Sequence, residues 1–299
     1  MDKTGPRALA RLLSQVEGGG TEVRSFIRDL QPGKARVIGL TGAPGVGKST
    51  VTGALIEQFR AAGRRVGVLA VDPSSPFTGG ALLGDRVRMQ QHATDEGVFI
   101  RSMASRGHLG GLAAATPQAV RVLDSAGFDI ILIETVGVGQ AEVEIASQAD
   151  SVIVLLAPGM GDAIQAAKAG ILETGDLFVV NKADKPDLQQ VVRDLRGMLA
   201  MGSWEGGWKP PILTTTASSG AGIGEVVAAL DAHWEWLNTG GELERRRLTR
   251  ARAEIMALAL GTLRARVSDA EVERLAARVA DGSLDPFTAA DELLGSACE

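Results

Sequence analysis

The sequence predicts an α/β protein with a doubly wound, mainly parallel sheet. Seven short apolar segments recur through the middle of the chain, and longer segments with helical character separate them. Continuous apolar strands are typical of a sheet covered on both faces, and strands that alternate with helices favour parallel pairing. The predicted strands are 36–41, 65–71, 98–103, 128–134, 151–157, 177–181 and 211–216.

The two ends of the chain differ from this pattern. We predict an N-terminal helical extension over 1–34, the α/β domain over 35–238 and a C-terminal helical arm over 239–299. The arm has no strand signal and carries two apolar stripes at helical spacing. It cannot bury both stripes by itself, so we expect it to pack on the core or on another subunit. The stripes are Leu248, Ile255, Ala259 and Leu263, followed by Val272, Leu275 and Val279.

Composition excludes several classes of protein. The 299 residues are 45% apolar and 22% charged, which is ordinary for a globular protein, and the net charge of −5 predicts no general affinity for nucleic acid or anionic membranes. The single cysteine, Cys298, excludes a disulfide within one chain and disfavours a cysteine-based metal site. The N-terminal residues lack the apolar core of a signal peptide, and no apolar run is long enough to span a bilayer. We therefore expect a cytoplasmic protein with neither a nucleic-acid nor a membrane partner.

A phosphate-binding loop follows the first predicted strand. Residues 42–49, GAPGVGKS, match G-x-x-x-x-G-K-[ST] without a mismatch, and a predicted helix follows. In this motif backbone N–H groups converge on phosphate oxygens, the lysine reaches the β- and γ-phosphates, and the hydroxyl binds Mg²⁺. A glycine-rich turn is the alternative, but the strand and helix on either side favour the nucleotide site. The predicted nucleotide-binding residues here are Gly45, Val46, Gly47, Lys48, Ser49 and Thr50, with Lys48 also catalytic.

A lone carboxylate, Glu134, ends the apolar segment 128–134. A buried carboxylate is costly unless a partner neutralises it, and the carboxylate that ends a strand near a phosphate-binding loop lies close to the metal. We therefore predict that Glu134 holds Mg²⁺ directly or through a water, and that the N–H of Gly137 contacts the γ-phosphate. The alternative is an acid that caps a helix at the end of a strand.

A second motif selects the base. Asn181, Lys182 and Asp184 follow the strand at 177–181 in the order N-K-x-D. An aspartate here accepts hydrogen bonds from N1–H and the 2-amino group of guanine, and adenine offers neither donor. We expect Asn181 to brace the loop, the Lys182 stem to cover one face of the base, and Ala217 and Ser218 to close the pocket. The sequence therefore predicts GTP and GDP as ligands.

Two further acids follow the second strand. Asp72 precedes Pro73, and Asp85 lies in the glycine-rich segment beyond it. Both are predicted to lie near the metal, and Asp72 to orient the attacking water, since phosphoryl transfer depends on positioning and charge compensation. The alternatives are a turn residue before proline for Asp72 and a helix N-cap for Asp85.

These motifs together resemble a known family. The stretches VDPSSPFTGGALLGDRVRM, RGHLGGL, ETVGVGQAE and APGMGDAIQAAKAG are similar to those of the methylmalonyl-CoA mutase-associated GTPases of the MeaB/ArgK type. This family belongs to the metallochaperone and cofactor-loading P-loop GTPases, and the resemblance is dense over 35–238. It implies a P-loop GTPase domain that binds GTP with Mg²⁺ and hydrolyses it slowly without its partner. It also implies an adenosylcobalamin-dependent methylmalonyl-CoA mutase as that partner, with gated cofactor loading and protection of the mutase, and a homodimer formed by the helical arm.

The resemblance also implies roles for individual residues. Lys48 and Ser49 resemble the phosphate and metal holders, and Asn181 and Asp184 resemble the guanine readers. The segment 159–168 resembles an additional switch that responds to the mutase, with Asp162 and Lys168 in it. The carboxylates around Mg²⁺ would be Asp72, Asp85 and Glu134.

Two other functions compete with this one. A nickel-insertion GTPase requires clustered cysteine and histidine ligands, and one terminal cysteine with three scattered histidines argues against it. A transport- or metabolism-linked P-loop kinase or ATPase requires ATP and a pocket for a phosphate acceptor. The N-K-x-D motif at 181–184 opposes ATP use, and binding of GDP compared with ADP separates the two classes.

Overall fold

The computed structural model of the chain describes residues 5–18, 21–72, 92, 94–104, 115–135, 145, 147–159, 174–202 and 207–298. The chain divides into two compact units, residues 1–243 and 244–299, which are described separately below.

The first unit contains a sheet of seven strands: β1 Arg36–Thr41, β2 Val66–Asp72, β3 Val98–Ala104, β4 Ile130–Thr135, β5 Ser151–Leu156, β6 Leu177–Val180 and β7 Ile212–Thr214. All are parallel, and their order across the sheet is β3-β2-β4-β1-β5-β6-β7. The five interior strands are buried along most of their length, as expected for a sheet that helices cover on both faces. The predicted fold class is confirmed, and the sheet is parallel throughout.

The described helices of this unit are α1 Pro6–Gly18, α2 Thr21–Arg28, α3 Lys48–Ala61, α4 Thr116–Ser125, α5 Leu188–Met201 and α6 Ile223–Thr239, with a 3₁₀ turn at Ala217–Ser219. They cover both faces of the sheet, and side chains along each strand alternate between the two faces. Ile131 and Ile133 of β4 belong to the core that includes α1, α4 and α5, whereas Ile130 and Leu132 belong to the core that includes α3 and α6. The side chain at 134 therefore points to the α3 face.

The N-terminal helix α1 packs on the sheet domain. Leu9, Leu13 and Val16 are buried in the same core as α4, at the three- and four-residue spacing of one helix face. Arg101 of β3 forms an ion pair with Glu17 of α1. The helical character predicted for the N-terminal residues is therefore present, and the domain boundary at 34 stays a prediction.

Three aspartates cap the edge of the sheet at which the parallel strands begin, called the amino edge below. Each directly precedes a strand and accepts a hydrogen bond from a backbone N–H at the start of the neighbouring strand or one residue before it. Asp129 bonds Arg65 N at 2.7 Å, Asp150 bonds Val37 N at 3.0 Å and Asp176 bonds Val152 N at 2.9 Å.

His233 of α6 lies at the same edge and is fully buried. Its Nδ1 is 2.8 Å from Ser151 Oγ, its Nε2 is 3.3 Å from Asp176 Oδ1, and its ring stacks on Trp236 with a centroid separation of 5.5 Å. This histidine therefore packs in a polar and aromatic cluster, in which Ser151 and Asp176 come from distant parts of the sequence.

The second unit is helical in its described part. Its helices are α7 Glu242–Arg266, which begins just before the unit boundary, α8 Asp269–Ala280 and α9 Pro286–Cys298. Arg278 of α8 forms an ion pair with Glu292 of α9 at 3.0 Å, and Leu275 is buried. No residue of α7 is buried. Across the described ranges, no helix is both long and apolar enough to cross a membrane.

Candidate nucleotide site

The loop between β1 and α3 has the backbone conformation that the sequence motif requires. Gly42, Gly45 and Gly47 have φ angles of 139°, 81° and 99°, in the region that favours glycine. A Cβ at Gly42 would lie 2.2 Å from Leu155 O, and one at Gly47 would lie 2.4 Å from Asn181 Nδ2. The loop therefore has no room for side chains at these two positions, and it leads directly into the N-terminus of α3, where helix amides favour anions.

Lys48 is held by the loop itself. Its side chain is buried, and Nζ donates hydrogen bonds to Gly42 O at 2.7 Å and Ala43 O at 3.1 Å. Both acceptors are neutral carbonyls, so phosphate oxygens would be stronger partners for the same ammonium. The lysine is thus positioned at the loop, where the motif places the β- and γ-phosphates.

Glu134 lies beside the loop, in the centre of the sheet. Its strand, β4, lies between β1 and β2, where Glu134 is in register with Leu40 and Ala70. The side chain is 4% exposed, and Ser49 Oγ donates to its Oε1 at 2.7 Å. The predicted metal-binding hydroxyl and the predicted metal-binding carboxylate are therefore in direct contact.

This pair of oxygen donors fits Mg²⁺. Magnesium in proteins is bound by one or two carboxylates together with phosphate oxygens and waters, and it does not need a cage of protein ligands. Ser49 Oγ uses its proton to bond Glu134, and a hydroxyl oxygen binds a cation through its lone pairs. Within the described residues no three His, Cys, Asp or Glu side chains form a metal-binding group. The Ser49 hydroxyl and the Glu134 carboxylate offer oxygen ligands suited to a cation that arrives with a nucleotide.

The N-K-x-D segment is tied to the phosphate-binding loop. Asn181 is buried; its Nδ2 donates to Val46 O at 2.9 Å, and its Oδ1 accepts from Thr215 Oγ1 and Ala217 N, both at 3.1 Å. Lys182, at φ 58°, donates from Nζ to Gly45 O at 2.7 Å. The two predicted ligand-binding loops therefore form one hydrogen-bonded assembly.

The remaining predicted residues occupy the rim of this assembly or lie outside the described residues. Thr50, Asp184 and Ser218 are exposed. Asp72 ends β2, with its backbone in register with Ala104, at the same carboxyl edge of the sheet as Glu134. Asp85, Gly137, Asp162 and Lys168 lie outside the described residues, as does the side chain of Asp72.

Two residues of this assembly were not predicted from the sequence. Thr52 Oγ1 donates to Glu134 Oε2 at 2.9 Å, and Thr215 holds Asn181 as described above. The only signal for Thr52 was its position three residues after Ser49, which places both hydroxyls on one face of α3. Thr215 directly follows β7 and had no distinguishing pattern.

The parallel sheet, the glycine-rich loop leading into α3 and the buried Ser49–Glu134 pair define a P-loop nucleotide-triphosphate-binding protein. The chain belongs to the family described as methylmalonyl-CoA mutase-associated GTPase MeaB, whose model matches residues 9–272. This confirms the family inferred from the motifs, and the protein is a P-loop GTPase that binds GTP and GDP.

Individual relatives and one solved structure are similar to most of this chain. A putative GTPase of Pyrococcus abyssi is 46% identical over 303 residues, covering 98% of this chain and 94% of the relative. A protein of Caenorhabditis elegans named methylmalonic aciduria type A homolog, mitochondrial, is 37% identical over 221 residues, covering 70% of this chain and 54% of the relative. The crystal structure of a LAO/AO transport system kinase matches with a TM-score of 0.70 at 26% identity, covering 97% of this chain and 93% of that one.

Proposed function

We propose that this GTPase is a chaperone for an adenosylcobalamin-dependent methylmalonyl-CoA mutase, and that its nucleotide state gates cofactor loading and protects the mutase. The observation that carries the proposal is the family match over residues 9–272, because the family is described as methylmalonyl-CoA mutase-associated. The name of the Caenorhabditis elegans relative supports the same metabolic context. The proposal places the protein in the cytoplasm with its partner.

Within this function, the P-loop residues hold the triphosphate. Lys48 would neutralise the β- and γ-phosphates, and the N–H groups of 45–50 and Gly137 would bind phosphate oxygens. Ser49 and Glu134 would hold Mg²⁺, which when bound neutralises the charge that develops on the phosphate oxygens. Asp72 and Asp85 complete the proposed acidic group, with Asp72 orienting the attacking water.

The guanine end depends on the second loop. Asp184 is exposed, so its carboxylate is accessible to a bound base. Asn181 and Lys182 instead bond the backbone of the phosphate-binding loop. Ala217 and Ser218 would close the pocket. This division of roles, one residue for the base and two for the loop, links base recognition to the geometry of the phosphate site.

The kinase alternative has one observation in its favour, the name of the matching LAO/AO transport system kinase structure. A kinase of this kind would transfer the γ-phosphate to a second substrate. It would also have to reverse the base preference that Asp184 predicts. Calorimetry with GDP and ADP distinguishes the two: a GTPase chaperone binds GDP at least about a hundredfold more tightly, because an unpaired hydrogen-bonding site rejects the wrong base.

The mutase partnership is tested by co-purification and by turnover. Tagged protein, loaded with GTP or GDP, is mixed with purified methylmalonyl-CoA mutase, and complex formation and phosphate release are measured. We expect nucleotide-dependent binding and a faster GTPase rate, with Lys168→Ala reducing the stimulation. Lys48→Ala is expected to remove turnover while the circular dichroism spectrum stays unchanged. A rate that is identical with and without the mutase, together with no complex in either nucleotide state, would contradict the proposal.

A further inference from the structure

Both carboxylate oxygens of Glu134 are engaged by hydroxyl groups of α3. Ser49 Oγ donates to Oε1 at 2.7 Å, and Thr52 Oγ1 donates to Oε2 at 2.9 Å. Thr52 is fully buried, whereas Glu134 and Ser49 are 4% and 6% exposed. Thr52 is therefore not a solvent-facing residue.

The spacing of the two hydroxyls sets the orientation of the carboxylate. Residues three apart in a helix lie on the same face, so Ser49 and Thr52 present their hydroxyls to one side chain of β4. With Oε2 held by Thr52, the carboxylate can rotate little about its last bond, and Oε1 stays directed at Ser49. The Ser49 proton then points to Oε1, and a cation would bind Ser49 Oγ through its lone pairs.

A glutamate needs such an anchor more than an aspartate does. Its side chain has one more rotatable bond, and fixing a bond in one rotamer has an entropic cost. A second hydroxyl bonded to the charged form also compensates the burial of Glu134 when no cation is bound.

We propose that Thr52 is a positioning residue for the magnesium site: it orients Glu134, and through Glu134 it orients the hydroxyl of Ser49 toward the cation. The inference rests on the proposed Mg²⁺-dependent nucleotide site. Residues that orient metal ligands typically change metal affinity or activity by about 10- to 100-fold when they are replaced.

The test compares the Mg²⁺ dependence of nucleotide binding in hydroxyl-deleting and hydroxyl-retaining variants. Thr52→Val keeps the shape of the side chain and removes the hydroxyl, and Thr52→Ser keeps the hydroxyl. Thr52→Ala, compared with Thr52→Ser, supplies a second deletion of the same group if the valine variant does not fold. Dissociation of a fluorescent GDP analogue is followed during a Mg²⁺ titration, and GTP turnover is measured at low and saturating Mg²⁺.

Thr116→Val is the matched control. Thr116 is buried in α4, and within the described part of the chain its Oγ1 has no hydrogen-bond partner. It lies on the other face of the sheet from α3 and plays no part in the proposed site. Thr116→Val is therefore expected to leave the midpoint of the Mg²⁺ titration unchanged.

We expect Thr52→Val to raise the Mg²⁺ midpoint by about tenfold, with turnover recovering at saturating Mg²⁺. Thr52→Ser should remain within about threefold of the natural protein, and GDP affinity in EDTA should not change. An unchanged midpoint in Thr52→Val, or equal shifts in the serine and alanine variants, would overturn the role of Thr52 and leave the proposed function standing. If GDP dissociation from the natural protein does not depend on Mg²⁺, both the proposed metal site and this inference are wrong.

Discussion

A single residue, Asn181, connects the two loops of the nucleotide site. Its Nδ2 reaches Val46 O in the phosphate-binding loop, and its Oδ1 holds Thr215 and Ala217 beyond β7. The close approach requires a glycine at 47, because a Cβ there would lie 2.4 Å from Asn181 Nδ2. The glycine of the motif thus serves the contact between the two loops as well as the backbone conformation of the phosphate cradle.

Replacing Gly47 tests this contact. Gly47→Ala adds the backbone strain of a positive φ and displaces the Asn181 amide from Val46, so we expect GDP affinity to fall by more than about tenfold. Gly63→Ala is the control: Gly63 also has a positive φ, 74°, but a Cβ there meets no atom within 4 Å. Both variants are compared by thermal unfolding and by titration with labelled GDP. Similar GDP affinity in the two variants would show that the Asn181 contact is dispensable.

The aspartates at the amino edge of the sheet act at the scale of whole strands. An N–H at this edge that points beyond the start of the neighbouring strand has no ladder partner, and a buried unpaired N–H is costly. Asp150 bonds Val37 N, while its own N–H donates to Val37 O at 2.7 Å. The pair fixes the register of β1 against β5, and β1 leads into the phosphate-binding loop.

Removing this carboxylate should destabilise the first unit. Asp150→Ala breaks a buried hydrogen bond to a charged group and leaves Val37 N–H unpaired, so we expect the free energy of unfolding to fall by about 2–3 kcal/mol. Asp231→Ala is the control, since it removes an exposed ion pair with Arg36 at the same edge. Such pairs contribute about 0–1 kcal/mol. Urea denaturation measures both, and equal losses would contradict the capping role.

At the scale of the whole molecule, the second unit carries exposed apolar side chains on α7. Ile255 is 64% exposed, and Leu248, Met256, Leu258 and Leu260 of the same helix are more than half exposed. Large apolar side chains exposed in this number on one helix are typical of a protein–protein interface. It agrees with the predicted homodimer, which stays a prediction.

A charge on this surface should separate the subunits. Ile255→Glu would place a carboxylate in an apolar contact, and we expect a dimer to become a monomer at micromolar concentration, because burying an unpaired charge is costly. Ala257→Glu is the control: Ala257 is exposed and lies about 200° further around the helix. Light scattering after size-exclusion chromatography measures the mass. A natural protein that is monomeric, or an Ile255→Glu variant that remains dimeric, would contradict the prediction.

The sequence alone predicted the local features of this protein. Apolar segments bounded by glycine and polar residues located all seven strands of the sheet, with ends differing by no more than about two residues. The motif at 42–49 located the phosphate-binding loop. Its glycines have positive φ angles, and this local backbone conformation can be recognised from the sequence. The end of β7 was placed too late, because the chain turns after Thr214 and Thr216 pairs with Ala221 in an isolated bridge.

Only the tertiary structure could show which distant side chains meet. Thr52 and Glu134 are 82 residues apart, Val37 and Asp150 are 113 apart, and Asn181 and Val46 are 135 apart. A hydroxyl, a carboxylate or an amide has the same appearance in the sequence whatever its partner, and the order of strands in the sheet decides which of them come together. Local backbone preferences therefore determined the strands and the phosphate-binding loop, and long-range packing determined how Glu134 and Asn181 are held.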